Sequence, residues 1–339
     1  MPVEYDTVII GAGPAGLAAA EELGRHSKKV LLVEKNSRIG PKVCAGGISP
    51  GITKHGFSLD FPHRVITSII INTPGKIHRI SLPEPFLIIA DREIFGQYQL
   101  KRVLRYDVDI LTGAFVKKIA SNHIILDDRR IEFKYLIGAD GSVSVVRKHL
   151  GLKTQKYGLT YQYRLPVTSE FFQLFFDRRF FGTGYGWSVP HDNYTFTGMG
   201  EARGEHLKVN IKQRCREWCN RQSYDLAGAT AEAWPINYDY RGWQYDNIFL
   251  TGDAAGLASG LTGIGIYNAL VSGLEVARKI INPDYACPEI KKILRQKKYH
   301  DRLLELLQAH RGMINLYHRI LLSMTGNAFL KKKLVDFLF

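Results

Sequence analysis

Gly11-Ala12-Gly13-Pro14-Ala15-Gly16 decides the fold of this chain. These residues stand between an apolar run at residues 5–10 and an Ala-rich helical segment at residues 14–25, and a second apolar run at residues 29–33 ends in Glu34. Strand, glycine turn, helix and strand form a βαβ unit of the dinucleotide-binding kind. Gly11 permits the tight turn, Gly13 lets the backbone approach a pyrophosphate, and Gly16 permits close helix packing, with Ala15 at the helix start. The helix N-terminus then turns its partial positive charge on the phosphates. Glu34, followed by Lys35, is placed for its carboxylate to accept hydrogen bonds from the adenosine ribose hydroxyls. An acid there disfavours a 2′-phosphate, so the site suits FAD or NAD rather than NADP.

Outward from this unit, residues 36–51 are rich in Gly and Pro, and strand-like stretches at 65–72, 77–82 and 87–90 predict a mixed sheet. Asp91 opens a helical pattern that runs to residue 105. Short strands follow around Val108, Phe115, Ile124 and Ile131, and residues 135–139 return the chain to the cofactor sheet before a Gly-containing turn. Residues 157–200 are dense in Tyr and Phe, with alternating apolar positions and no helical period, which predicts a separate broad antiparallel sheet on the substrate side. A helix is expected over residues 206–221, starting at His206. Ile248-Phe249-Leu250-Thr251-Gly252-Asp253 is again a strand running into a turn, followed by a Gly-rich loop and a helix to residue 281. Residues 254–274 are 21 positions without a charge, long enough for a membrane span. Five glycines, Thr262 and Asn268 make that stretch a poor membrane helix, and a loop leading into a buried helix is the better reading.

At 339 residues and 45% hydrophobic content the chain can bury a large core without disulfides. Cys44, Cys215, Cys219 and Cys287 form no regular ladder, and no basic-then-apolar segment precedes the first strand, so a reducing, cytoplasmic address is expected. The formal charge is +14, and residues 278–339 carry thirteen Lys/Arg against five Asp/Glu. An anionic membrane surface, a diphosphate substrate or nucleic acid would each find a docking face there. No recognised nucleic-acid module accompanies the basic tail, so nucleic acid is not expected. Residues 288–339 have helical periodicity, with leucines at 303, 304, 306 and 307 and a Lys331-Lys332-Lys333 cluster. Packing on the body of the protein is preferred to peripheral contact with a membrane. His63, His191 and His206 lack metal-ligand spacing, and Cys215 with Cys219 lacks the second pair that zinc needs, so no metal is expected. The Gly-x-Ser-x-Gly pattern of esterases is absent.

Gly138-Ala139-Asp140-Gly141-Ser142-Val143-Ser144-Val145-Val146-Arg147 resembles the Asp-Gly motif of the flavoprotein hydroxylase superfamily, and Leu250-Thr251-Gly252-Asp253-Ala254-Ala255-Gly256 resembles its Gly-Asp motif. The resemblance implies that the dinucleotide is FAD, that Asp253 holds its ribityl chain, that Arg92 lies beside it, and that the backbone of Val116 meets the adenine. The amides of Thr262-Gly263-Ile264-Gly265-Ile266, at the start of a helix, would face the pyrimidine end of the isoalloxazine, where negative charge accumulates on reduction. Lys42-Val43-Cys44-Ala45-Gly46-Gly47-Ile48-Ser49 and Tyr185-Gly186-Trp187-Ser188-Val189-Pro190 resemble motifs of the geranylgeranyl reductases, FAD enzymes that saturate isoprenoid double bonds. Val189 stands where that family usually has Phe.

On this resemblance the chain is α/β. A discontinuous, glutathione-reductase-type Rossmann-like FAD-binding domain would come from residues 1–62, 91–156 and 245–283. A mixed or antiparallel substrate-binding sheet domain would come from 63–90 and 157–244, and a basic helical region from 284–339. Ala45 and Gly47 would lie against the flavin. Hydride transfer from reduced flavin to an isolated alkene needs apolar walls and one proton source, and Cys44 is the candidate for proton delivery or for positioning the alkene. Tyr185 and Trp187, with Phe171, Phe172, Phe175, Phe176, Phe180 and Phe181, are expected to line a hydrophobic tunnel for an isoprenoid or lipid substrate. Electrons would come from NADPH at a surface groove or from a ferredoxin-type donor. An FAD monooxygenase or halogenase-like enzyme shares the three flavin segments, and a non-catalytic flavin electron-transfer subunit is a third reading.

Overall fold

The computed structural model describes residues 3–202 and 210–338, so His206 and the expected first turn of its helix lie outside the described residues. Around the glycine turn, strand Val3–Ile10 pairs in parallel with Val30–Val33, and Pro14–Arg25 joins them as a helix. Pro14 suits the first helical turn because its missing N–H would have no partner there. The parallel sheet continues in the order Ile248–Leu250, Arg129–Gly138, Val3–Ile10, Val30–Val33, Val108–Leu111. Val30–Val33 is buried at every position, which explains its unbroken apolar run: both sheet faces are covered. One cover is the pair of helices Pro14–Arg25 and Ile266–Ile281, which lie against each other. Val116–Ile119 and His123–Leu126 extend the sheet as antiparallel strands.

The second sheet has seven strands, in the order Thr230–Asn237, Tyr157–Leu165, Thr195–Ala202, Tyr185–Pro190, Gln173–Phe175, Ser68–Thr73, Lys76–Ser81. It is antiparallel except where Gln173–Phe175 runs parallel to Ser68–Thr73. The strand expected over residues 65–72 is two strands, because the chain changes sheets at Thr67. Arg64–Ile66 joins Leu87–Ile89 and Gly47–Ile48 in a small three-stranded sheet. That small sheet joins residues from both sides of the expected boundary at 62/63. The helix expected from residue 206 is described over Ile211–Arg221, where Asn210 caps it by accepting from the Gln213 amide.

Strand alternation sorts the phenylalanines. Phe172 and Phe176 face an internal cavity together with Leu174. Phe175 and Phe181 face the other way, onto Trp218 of the helix Ile211–Arg221, at 5.1 and 5.5 Å between ring centroids. Phe171 lies under the Arg79 guanidinium and Phe180 under that of Arg221. The expectation that all six line a tunnel therefore fails for four of them: along the strand successive residues point to opposite faces, and Phe180 and Phe181 lie on the short helix Arg178–Phe181. Cys215 and Cys219 are buried within the same Trp218 packing layer. The C-terminal helices Pro288–Ala309, Ile314–Ser323 and Ala328–Leu338 fold back over the seven-stranded sheet, and Leu322 and Val335 join its core beside Trp187 and Phe172.

Candidate active site

One cavity of about 440 Å³ runs from the glycine turn, through the Cys44 loop, to the chamber between the seven-stranded sheet and the C-terminal helices. Its first end is built from backbone. Gly11 adopts φ +101°, a value that favours glycine, and a Cβ on Gly16 would lie 1.9 Å from the Gly11 carbonyl oxygen. These two glycines support the turn, while Gly13, Pro14 and Ala15 line the cavity itself. Glu34 is buried. Its two carboxylate oxygens accept from the amides of Ala12, at 2.8 Å, and Asn36, at 2.9 Å. A carboxylate has about four acceptor positions, so two remain for hydroxyl donors. Lys35 sits 5.8 Å from the Trp234 ring.

Arg92 supplies the test of what this end would hold. It lines the cavity, is 7% exposed, and its Nε and Nη1 have no hydrogen-bond partner. Burial pulls its pKa down, with partial compensation from Cys44, Asp253 and Asp91. An uncompensated guanidinium in a cavity is costly unless an anion meets it. With the helix start at Pro14, it fits a diphosphate-bearing dinucleotide. Asp253 also lines the cavity, where its carboxylate takes Lys42 Nζ at 3.3 Å and Ser142 Oγ at 3.1 Å. Lys42 is thus a site residue that the sequence reading did not single out beyond its motif.

Six expected cofactor residues are not on the cavity wall: Gly11, Gly16, Glu34 and Lys35 at the dinucleotide turn, and Asp140 and Val116. Asp140 is turned into the protein, where its Oδ2 accepts from the Val145 amide at 2.6 Å and caps the following helical turn. Burial raises its pKa against the opposing hydrogen bonds of Ser144 and the helix amides. Val116 is packed in the core of the parallel sheet. The Asp-Gly motif acts through Arg147 as well, which donates to the carbonyls of Ala254 and Asp239 at 3.3 and 2.7 Å and so ties the two motif segments together.

The Gly-rich loop after Asp253 also differs from expectation. The amides of Thr262 and Gly263 bond to Ser259, through Oγ at 3.0 Å and the carbonyl at 2.9 Å, and the Ile264 amide bonds to Thr262 Oγ1 at 3.4 Å. Gly265 and Ile266, where helix Ile266–Ile281 begins, remain as the helix-end donors. Ser259 is in turn held by His300. With the imidazole neutral, Nε2–H donates to the Phe337 carbonyl at 2.8 Å and Nδ1 accepts from Ser259 Oγ at 2.9 Å. Burial lowers the pKa of His300 and favours that neutral form. Lys297 donates to the Ala258 carbonyl at 3.3 Å and pairs with Asp301.

Cys44 lines the cavity between the two ends, half-buried, with its Sγ accepting from the Gly46 amide at 3.4 Å. Ala45 and Gly47 line it as well, and the Ala45 carbonyl accepts from His191 Nε2 at 3.1 Å. His191 stacks on Tyr194, whose hydroxyl donates to Asp91 Oδ2 at 2.5 Å. Burial alone would raise the Asp91 pKa, but the Tyr194 hydroxyl and the amides of Ile94 and Glu93 outweigh it and hold the carboxylate low. The Cys44 loop and the helix that carries Arg92 are thereby fastened to one strand end. Tyr185 donates to the Thr262 carbonyl, and burial pushes its phenol pKa up. Trp187 lines the cavity with its indole Nε1 unpartnered. Beyond them the walls are Leu174, Leu304, Leu307 and Leu322, with the His318 ring tilted against Phe176 at 4.6 Å between centroids.

Comparison with known proteins places this geometry. Residues 9–69 match the model of an NAD(P)-binding Rossmann-like domain. The chain is 30% identical to an uncharacterized protein of Methanosarcina barkeri, over 90% of this chain and 81% of that one. It is 26% identical to the digeranylgeranylglycerophospholipid reductase of Methanocaldococcus jannaschii, over 90% of this chain and 85% of the other. The chain belongs to the geranylgeranyl reductase family. Among solved structures, a geranylgeranyl bacteriochlorophyll reductase-like protein of Thermoplasma acidophilum superposes with TM-score 0.78 and 18% identity, covering 99% of this chain and 96% of that one, which establishes the shared fold.

In this geranylgeranyl reductase-family chain the motif residues converge on one cavity, but the clamps behind them do not come from motifs. His191, Lys297 and His300 carry no signal in sequence beyond their residue type. Their partners are 146, 39 and 41 positions away.

Proposed function

We propose that the protein is an FAD-dependent reductase that saturates carbon–carbon double bonds of a geranylgeranyl or related isoprenoid group. The observation that carries this reading is the single cavity joining the diphosphate-compatible end at Gly13, Arg92 and Asp253 to an apolar chamber, with Cys44 at the junction. Bound FAD, once reduced, supplies the hydride for the alkene. The chain supplies the rest. Arg92 and the helix start at Pro14 would hold the diphosphate, Glu34 and Asp253 would accept from cofactor hydroxyls, and the amides of Gly265 and Ile266 would be the donors offered to the ring system. Trp187, Leu174 and Leu304 exclude water and hold the prenyl chain extended. Cys44 Sγ–H lies where it can deliver the proton that the second alkene carbon requires. The external electron donor is NADPH or a ferredoxin-type carrier, and the positive charge of the chain suits either anion.

Anaerobic incubation of the dithionite-reduced, FAD-loaded protein with geranylgeranyl diphosphate and with a geranylgeranylated glycerolipid, followed by mass spectrometry, tests this. Mass gains in steps of two hydrogens are expected. Unchanged prenyl chains, with oxygen-dependent turnover of another substrate, would replace reduction by hydroxylation.

A further inference from the structure

The helix Ile314–Ser323 is apolar on two opposite sides. Ile314, His318 and Leu322 repeat every four residues and point inward, and the last two line the cavity. Leu316 and Ile320 stand two positions before His318 and Leu322, about 200° around the helix, and are 46% and 53% exposed. Met313, one further step back on that outer stripe, is also exposed. An outer apolar stripe is not needed to close the cavity, which the inner stripe already does.

Three other features belong to the same C-terminal region. Leu306 both lines the cavity and is 45% exposed, so the cavity wall reaches the surface near the end of helix Pro288–Ala309. On the next helix, Ala328–Leu338, Phe329 is 67% exposed and Lys333 Nζ lies 5.6 Å from its ring. Residues 311–338 hold five Lys/Arg and one Asp, with Arg319, Lys332 and Lys333 exposed. Apolar side chains flanked by lysines are the pattern of a helix that lies in the headgroup region of an anionic bilayer. No helix among the described residues is long and apolar enough to cross a membrane, so contact would be with the surface.

We propose that the outer stripe Met313, Leu316 and Ile320, with Phe329 and the lysines beside it, docks the protein on an anionic lipid bilayer, with the cavity mouth at Leu306 facing the lipid. The docking stands on these surface residues alone; the passage of a prenyl chain from bilayer to cavity rests on the reductase reading above. Docked in this way, the mouth opens into the phase that holds a lipid-borne prenyl chain, and the chain need not cross water.

The FAD-loaded full chain, without substrate, is co-sedimented with vesicles of phosphatidylglycerol and phosphatidylcholine in equal parts, and with phosphatidylcholine alone. Binding is expected only to the anionic vesicles, weakening as salt is raised. Leu316→Asp with Ile320→Asp is expected to lower it about tenfold or more. Lys332→Glu with Lys333→Glu, a surface change that leaves the apolar stripe intact, is expected to lower it as well. Melting temperature and reduction of geranylgeranyl diphosphate in solution should stay near those of the parent. Absence of binding by the parent overturns the proposal. So does unaltered binding by both variants, or a dimer, seen by light scattering, that the Asp substitutions dissolve. In each of those cases continued reduction of soluble geranylgeranyl diphosphate leaves the enzymatic reading standing.

Discussion

The two ends of the cavity are built in different ways. At the glycine turn, backbone meets backbone: the space at Gly16 is bounded by the Gly11 carbonyl, and that at Gly11 by Ala139 and Asp140. No rotamer change can relieve a clash there. Under the C-terminal helices the walls are side chains, among them Leu304, Leu307, Leu322 and His318, which can exchange volume with their neighbours. The first end suits a ligand of one fixed shape. The second can be re-cut for prenyl chains of different length or head group while the cofactor end stays unchanged.

The contrast is sharpest at Gly16. Gly16→Ala would place a methyl 1.9 Å from a backbone oxygen, at a cost of about 3 kcal/mol or more. We expect purified protein with almost no flavin and a much lower melting temperature, read by the flavin-to-protein absorbance ratio and calorimetry. Normal flavin content would show that the cradle is not rigid. At the junction, Cys44→Ser should keep its flavin and lose about a hundredfold in the rate of alkene reduction in single-turnover experiments. Full activity would remove Cys44 from the chemistry and leave it a packing role.

At the side-chain end the expected effect is a pH dependence of stability. Burial lowers the His318 pKa to about 4, against an ordinary 6.5. The unfolded chain therefore takes up a proton that the folded one refuses. This part of the stability is present above pH 6.5 and is lost as pH falls toward 4, by about 3 kcal/mol at most. Melting temperature should drop over that range, and His318→Leu should flatten the drop. Part of the slope should remain, because burial also lowers the pKa of His191 and of His300. An unchanged slope would mean that the imidazole at the cavity wall is hydrated.

Much of the cofactor end was legible in the sequence. The strand, turn and helix around Gly11 are contiguous, and their chemistry is done by backbone and by the helix terminus, so spacing alone identifies them. The same locality made Asp253 and the Cys44 loop readable as motifs. It misplaced Asp140, whose carboxylate caps its own helical turn rather than facing the cavity. It also assigned to the loop at 262–264 donors that Ser259 and Thr262 already hold.

Hydrophobic periodicity marked residues 288–338 as helical and apolar, but a period cannot say what an apolar stripe faces. Leu304 lines the cavity while Leu316 meets solvent, and both belong to helices of similar character. Tertiary structure alone decided that the C-terminal helices close the cavity, that strand alternation sends Phe175 to Trp218 and Phe176 to His318, and that His300 reaches Ser259. The sequence by itself determined the dinucleotide turn, the motif segments and the α/β class, because those depend on neighbours along the chain. The chamber depends on contacts between residues far apart in sequence, whose pairing is set only when the sheets and helices pack.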